Sequence, residues 1–267
     1  MWGEVTPAER LRSVTRRHID DGRLASEAAT ALAGFADEPA SLVVACRRVL
    51  AHHRAHGALW WVCCRILAAA DAAAAAYAAA SELDADRTGE RLGATLPLLD
   101  DGDVVAIIGY TSTIDDALLD RFDLDAVAIR VEGDDPVAAL RRRRSEHAVR
   151  VVDDWDPVLE HTSRLVVSAT AIGPERALVP AGTADALQLA AAGAREIWLV
   201  GGVGRVLPAR VYDMIVSSLP DDRGAAFEEI SLQRFDRLAG PRGLERPADA
   251  AARIDCPVVP ELLRPLG

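Results

Sequence analysis

Along its first third the chain places apolar residues at helical spacing, and after residue 103 it gathers them into short continuous runs. Thr6-Pro7-Ala8-Glu9 offers an N-cap, a proline at the first helical position and an early acid, and the apolar positions that follow are spaced for one buried face. Ser26-Glu27 opens a second helix that ends near Gly34. Pro39-Ala40-Ser41 opens a third through Leu50, and a fourth is expected from Leu59 through the alanine run to Glu82. Residues 1–85 thus read as a small helical domain. Residues 86–102 are polar, carry Gly89, Gly93, Pro97 and Gly102, and read as a connection that includes a short helix.

From 103 to 267 the pattern predicts a second domain. Val104–Ile108, Ala126–Arg130, Val149–Val152, Leu165–Val167 and Ile197–Val200 are apolar runs without a polar face, as strands covered on both sides require. Helical segments are expected between them at Ile114–Arg121, Val137–His147 and Thr183–Ala192. The fold class is therefore α/β, a helical N-terminal domain followed by a Rossmann-like parallel-sheet domain. The stretch Arg164–Arg205 reads as strand, loop, helix, strand, with Gly182-Thr183 opening the helix and Gly193 closing it. Free backbone N–H groups at such a helix start stabilise an anion. The tail from Phe227 is turn-rich and is expected to wrap the sheet edge or a partner subunit.

Composition narrows the function. The net charge of -11 excludes non-specific nucleic-acid binding, which needs a basic face. All 30 basic residues are arginine, which removes Schiff-base chemistry and the lysine-dependent phosphate loop. Cys46, Cys63, Cys64 and Cys256 contain no C-x-x-C pair and read as buried free thiols. The start carries charges instead of an apolar leader, and the run Ala72–Ala80 is too short to span a bilayer. A cytoplasmic protein without a membrane partner is expected.

The chemistry-bearing stretches are few. Gly109-Tyr110-Thr111-Ser112-Thr113 ends the first strand, and its hydroxyls either cap the next helix or donate to a phosphate. With Gly182-Thr183 it makes two such turns converging on one sheet edge, which favours a ligand. Gly201-Gly202-Val203-Gly204-Arg205 lacks the acidic partner and spacing of a dinucleotide fingerprint, so no cofactor is expected. It is either a tight turn or a close backbone approach with Arg205 as anion contact. His52, His53 and His56 lack a metal-site pattern, and no metal is expected. Arg141–Arg144 reads as a solvated helix face. His161 near Asp153 and Asp154 has no serine in a nucleophile elbow to serve.

In their order and spacing these segments resemble the initiation factor 2B alpha/beta/delta family, which includes methylthioribose-1-phosphate isomerase and ribose-1,5-bisphosphate isomerase. HRAHGALWWV (53–62) is similar to an arginine-containing segment that helps hold the sugar phosphate in the isomerases, which implies a contact from Arg54. GYTST (109–113) resembles the loop that carries their catalytic cysteine. SATAIGPERALVPAGT (168–183) resembles the stretch written roughly G-A-D-A-I, spacer, N-K-I-G-T, and IDCPVVPELL (254–263) the terminal Asp-x-x-x-Pro-Glu-Leu pattern. The departures fall on the chemistry. No thiol lies in 109–113, Thr170 stands where the isomerases have their proton-donating aspartate, Val179-Pro180 replaces Asn-Lys, and Glu132–Pro136 has no equivalent of the arginine in Glu-Ser-Arg-Pro.

The resemblance implies a protein that binds a small phosphorylated ligand, a sugar phosphate or nucleotide, without the isomerase chemistry and with no catalytic residue, as a homodimer or higher homo-oligomer. Arg54, Ser112, Thr113, Gly182, Thr183 and Arg205 are the expected contacts. The alternative is an active aldose–ketose isomerase whose acid and base have moved to residues such as Asp185 or His56.

Overall fold

A computed structural model describes residues 6–16, 21–96, 104–119, 121, 123–143, 149–153, 158–159, 162–192, 196–219 and 226–266. The first third is helical, as its periodicity requires: α1 Pro7–Arg16, α2 Asp21–Ala33, α3 Pro39–His52, α4 Gly57–Ala68, α5 Ala72–Asp84 and α6 Thr88–Thr95. The long fourth helix of the sequence reading is two helices. Asp71 breaks it by accepting the Ala74 N–H at 2.9 Å, the bond of a helix N-cap.

The second part alternates strand and helix: β1 Val104–Ile108, α7 Ser112–Leu118, β2 Asp125–Ile129, α8 Pro136–Arg143, β3 Arg150–Val152 and β4 Thr162–Ser168. Here the expected crossover is interrupted by a hairpin, β5 Ala171–Ile172 and β6 Arg176–Pro180, before α9 Thr183–Ala192 and β7 Glu196–Val200. The chain continues through α10 Ala209–Ser218, β8 Phe227–Ser231, β9 Arg237–Gly240, β10 Gly243–Glu245 and α11 Pro247–Ala251. The tail therefore contributes strands that its turn-rich composition conceals. The main sheet has seven strands in the order β10-β9-β7-β4-β1-β2-β3, parallel except for β10 at the edge. A small antiparallel sheet, β5-β6-β8, lies beside it.

Alternation along the strands divides the main sheet's residues between two cores. Ala106, Ile108, Leu165, Val167, Ile197 and Leu199 pack with Ala186, Leu187 and Ala190 of α9. Val105, Ile107, Val166, Trp198 and Val200 face the opposite layer, with Leu92 of α6 and Ile114 of α7. The connection expected at 86–102 supplies part of this layer. Gly89 and Gly93, one helical turn apart on α6, let α7 approach so closely that a Cβ at either would meet the backbone of Thr113 or Ala117 within 2.7 Å.

The helical part has no core of its own. Trp60 and Trp61 of α4 are fully buried in a cluster that continues into Ala171, Leu178, Leu207, Tyr212 and Ile215, and on to Cys256, Val259 and Leu262 of the tail. The Trp61 indole donates to Asp255 Oδ1 at 3.0 Å, and its ring lies 3.1 Å from where a Cβ on Gly204 would sit.

A close seam joins α4 to the residues that follow β4. Gly57 N donates to Thr170 O at 3.0 Å, and a Cβ at Gly57 would stand 2.6 Å from that oxygen. Gly57→Ala is expected to destabilise the protein by about 2–3 kcal/mol through overpacking against backbone. Gly243→Ala, with φ at +101° and open space around it, should cost only about 1 kcal/mol of backbone strain. Denaturant melts of the two variants check the contrast.

Several buried acids are held protonated. A hydrogen bond with the Cys46 thiol, then burial, raises the Cys63 thiol, and a bond with Cys64, then burial, raises Cys256. Burial and the Glu229 carboxylate raise the Tyr212 phenol. Unfolded, thiols ionise near about pH 8.5 and phenols near about 10, so above those values the unfolded chain binds fewer protons than the folded one and stability falls as pH rises. The melting temperature is expected to decline from about pH 8.5 upward. Tyr212→Phe should make the decline above about pH 10 shallower in calorimetric melts across that range.

Candidate functional site

The chain leaves β1 toward β2 on one side and returns from β3 to β4 on the other, so the strand order reverses between β1 and β4. In open parallel sheets the crevice beyond the carboxyl ends at such a point is where ligands bind. Gly109 makes the turn out of β1 with φ at +77°, a conformation open to glycine, and its N–H donates to Asp134 Oδ2 from the loop after β2 at 3.2 Å. The buried Tyr110 donates its hydroxyl to Asp115 Oδ1 at 2.7 Å. Thr111 occupies the N-cap position of α7, and its Oγ1 lies 3.4 Å from Oγ of Ser168, the buried last residue of β4. The hydroxyls of Ser112 and Thr113 are half-buried and have no partner among the described residues.

Thr170 follows Ser168 at the same edge. Its hydroxyl donates to Leu178 O at 3.1 Å, and its carbonyl accepts both Gly57 N at 3.0 Å and Arg205 Nη1 at 2.7 Å. Neither function is a proton donor to a ligand. The crevice thus offers hydroxyls and the Asp134 carboxylate. Residues 109–113 and 168–170 hold no thiol, carboxyl or imidazole group.

Solved structures share this architecture. The translation initiation factor eIF-2B from Pyrococcus horikoshii OT3 superposes with a TM-score of 0.68 at 17% identity, over 92% of this chain and 98% of that one. The 5-methylthioribose 1-phosphate isomerase from the same organism gives 0.63 at 12% identity, over 92% and 86% of the two chains. Subunit delta of eIF-2B from A. fulgidus gives 0.59 at 14%, over 97% and 92%. This is the fold of the eIF2B subunits and of methylthioribose-1-phosphate isomerase. In sequence, no family model and no curated protein matches the chain.

On this eIF2B-like fold the other expected contacts have structural duties. Arg54, in the loop between α3 and α4, donates Nε to Ala51 O at 3.2 Å and Nη1 to Ser218 O at 2.9 Å. Arg205 is buried behind Thr170. Gly182, at φ +89°, packs on Val131 and Glu132 of the loop after β2. Thr183 is fully buried, with Oγ1 donating to Pro180 O at 2.5 Å. The amide of the next residue, Ala184, donates to Glu228 Oε1 at 2.7 Å, so a carboxylate of the chain itself occupies the anion position at that helix start.

The glycine turn after β7 is filled in the same way. Val203 N donates to Asp86 Oδ2 at 2.8 Å, while Oδ1 of the same carboxylate accepts Thr88 N at 2.9 Å and Thr88 Oγ1 at 2.6 Å. Of the alternative acid–base residues, His56 is buried and its Nδ1 accepts the Leu59 N–H as the N-cap of α4, and Asp185 is exposed on α9. His52 Nδ1 lies 2.8 Å from Arg48 O. No group of three or more His, Cys, Asp or Glu residues among the described ones is placed to hold a metal. Asp153 pairs with Arg130 at 2.7 Å, whereas Asp154, His161 and Arg144 lie outside the described residues, as does Gly193.

Sequence reasoning found the hydroxyl turn after β1 and missed Asp134, Glu228 and Asp86, the carboxylates that meet three loops. Only Asp86 left a local trace, an Asp two residues before a threonine at a helix start. Asp86→Ala removes three acceptor bonds and is expected to destabilise the protein by about 1–3 kcal/mol. Faster amide exchange at Val203 is the accompanying local sign, read by NMR.

Proposed function

We propose that this chain is a non-catalytic, eIF2B-like protein that binds a small phosphorylated ligand, a sugar phosphate or a nucleotide, in the crevice between β1 and β4. The observation that carries the reading is the state of Thr170. Moving a proton between adjacent carbons requires an acid or base within hydrogen-bond reach, and each such group contributes ~10²–10⁴-fold to rate. A threonine whose hydroxyl is committed to a carbonyl supplies none, and the turn after β1 supplies no thiol.

The unpartnered hydroxyls of Ser112 and Thr113 offer donors to a phosphoryl oxygen. Arg205 holds Thr170 O at the edge of the crevice, whereas the Arg54 guanidinium binds Ala51 O and Ser218 O and the Thr183 hydroxyl binds Pro180 O. We read the protein as a cytoplasmic homodimer with a sensing role. The eIF2B-beta2-delta2 complex from C. thermophilum, matched at a TM-score of 0.63 and 14% identity over 92% and 93% of the two chains, is tetrameric. Among the described residues no helix is long and apolar enough to cross a membrane.

A thermal-shift screen against phosphorylated pentoses, methylthioribose 1-phosphate and nucleoside monophosphates tests the reading, with NMR on each hit. Expected is stabilisation that grows with ligand concentration, without turnover, and that is lost in Ser112→Ala/Thr113→Ala. Turnover of any hit would refute the non-catalytic reading and direct attention to His56 and Asp185.

A further inference from the structure

We infer that a second site, separate from the crevice, takes a small apolar carboxylate: a cavity of about 640 Å³ at the carboxyl ends of β7 and β9, with the exposed Arg242 as its cation. Three parts of the chain wall it. The turn after β7 supplies Gly202, Val203 and Gly204, the β9–β10 hairpin supplies Leu238 and Arg242, and the residue after α5 and the start of the tail supply Ala85 and Ile254. Its volume is that of a small-molecule site, and Val203, Val206, Leu238, Pro241 and Ile254 give it the mostly apolar wall of one. In the strand order the cavity lies at β9 and β7 and the crevice at β4 and β1. The inference is therefore independent of what the crevice binds.

The charged side chains around the cavity select the ligand. Glu82 pairs with Arg65, Glu245 pairs with Arg253, and Asp255 Oδ1 accepts the Trp61 indole N–H at 3.0 Å. Arg242, in the turn between β9 and β10, has no partner among the described residues. The amides of Gly202 and Gly204 likewise have no acceptor there, while Asp86 takes the amide of Val203 between them. A guanidinium and two N–H groups without acceptors favour an anion, and the planar arginine fork matches a carboxylate with two parallel bonds. Glu82, Glu245 and Asp255 oppose a second negative charge, so a monoanion is preferred to a phosphate dianion. The apolar wall is matched by hydrocarbon in the rest of the ligand.

Titration calorimetry of the full chain with 4-phenylbutyrate, 4-phenylbutanol and 4-phenylbutyl phosphate, which share one apolar body, tests this. The wild type should bind phenylbutyrate about tenfold or more tightly than the alcohol, the size of one charge-assisted bond. Arg242→Gln should bring those two affinities together. Ala85→Trp, at an exposed position, should fill the cavity and lose phenylbutyrate. Both variants should melt as the wild type does, since neither side chain is buried. An unaltered phenylbutyrate affinity in either variant overturns the site. Equal affinity of the wild type for acid and alcohol, or tighter binding of the phosphate ester, overturns the ligand class. No binding of any of the three overturns the inference as a whole. If one variant does not melt cooperatively, the other decides.

Discussion

The two halves of this protein meet at one backbone carbonyl, beside the buried cluster that they share. Thr170 O receives the first amide of α4 and the guanidinium of Arg205, so the helical layer, the end of β4 and the turn after β7 meet at a single acceptor. Two donors on one carbonyl oxygen satisfy both of its lone pairs. Gly57 is the enabling residue, since any side chain there collides with the carbonyl. The buried tryptophans of α4 extend the junction, Trp61 over Gly204 and Trp60 donating to Arg54 O at 2.9 Å. The crevice inherits its shape from this junction.

Around that crevice the chain provides its own anions. Asp134, Glu228 and Asp86 each accept an amide from a different loop at the carboxyl side of the sheets. A loop whose amides are satisfied internally is stable without ligand, and an anion reaches those amides only by displacing a carboxylate. Thr170 adds no charge there, since its hydroxyl donates to Leu178 O.

The sequence spoke clearly wherever a pattern was local. Continuous apolar runs marked β1, β4 and β7 because strands covered on both faces need no polar side. The break at Ala69–Asp71 was overlooked because alanine on either side favours helix, although Asp71 is a good cap. The hairpin β5–β6 and the strands β9 and β10 are short and owe their form to the neighbours they pair with, which propensity does not record. The same holds for the site. The hydroxyls of 111–113 are contiguous and visible, whereas the carboxylates reach their amides from 25, 44 and 117 residues away. No local spacing rule reveals such pairs.

The tail's hold on the helical layer has a consequence for how the molecule is made. Arg47 of α3 donates Nη1 to Glu261 O at 3.1 Å and to Arg264 O at 3.2 Å, across 214 and 217 residues, and Cys256, Val259 and Leu262 complete the core that Trp60 and Trp61 begin. During synthesis at ~5–20 residues per second, α3 and α4 wait some ten seconds or more for the segment that closes over them. Until then a face rich in tryptophan stands open on the nascent chain, a surface for chaperones to recognise. The helical layer is begun early and finished late.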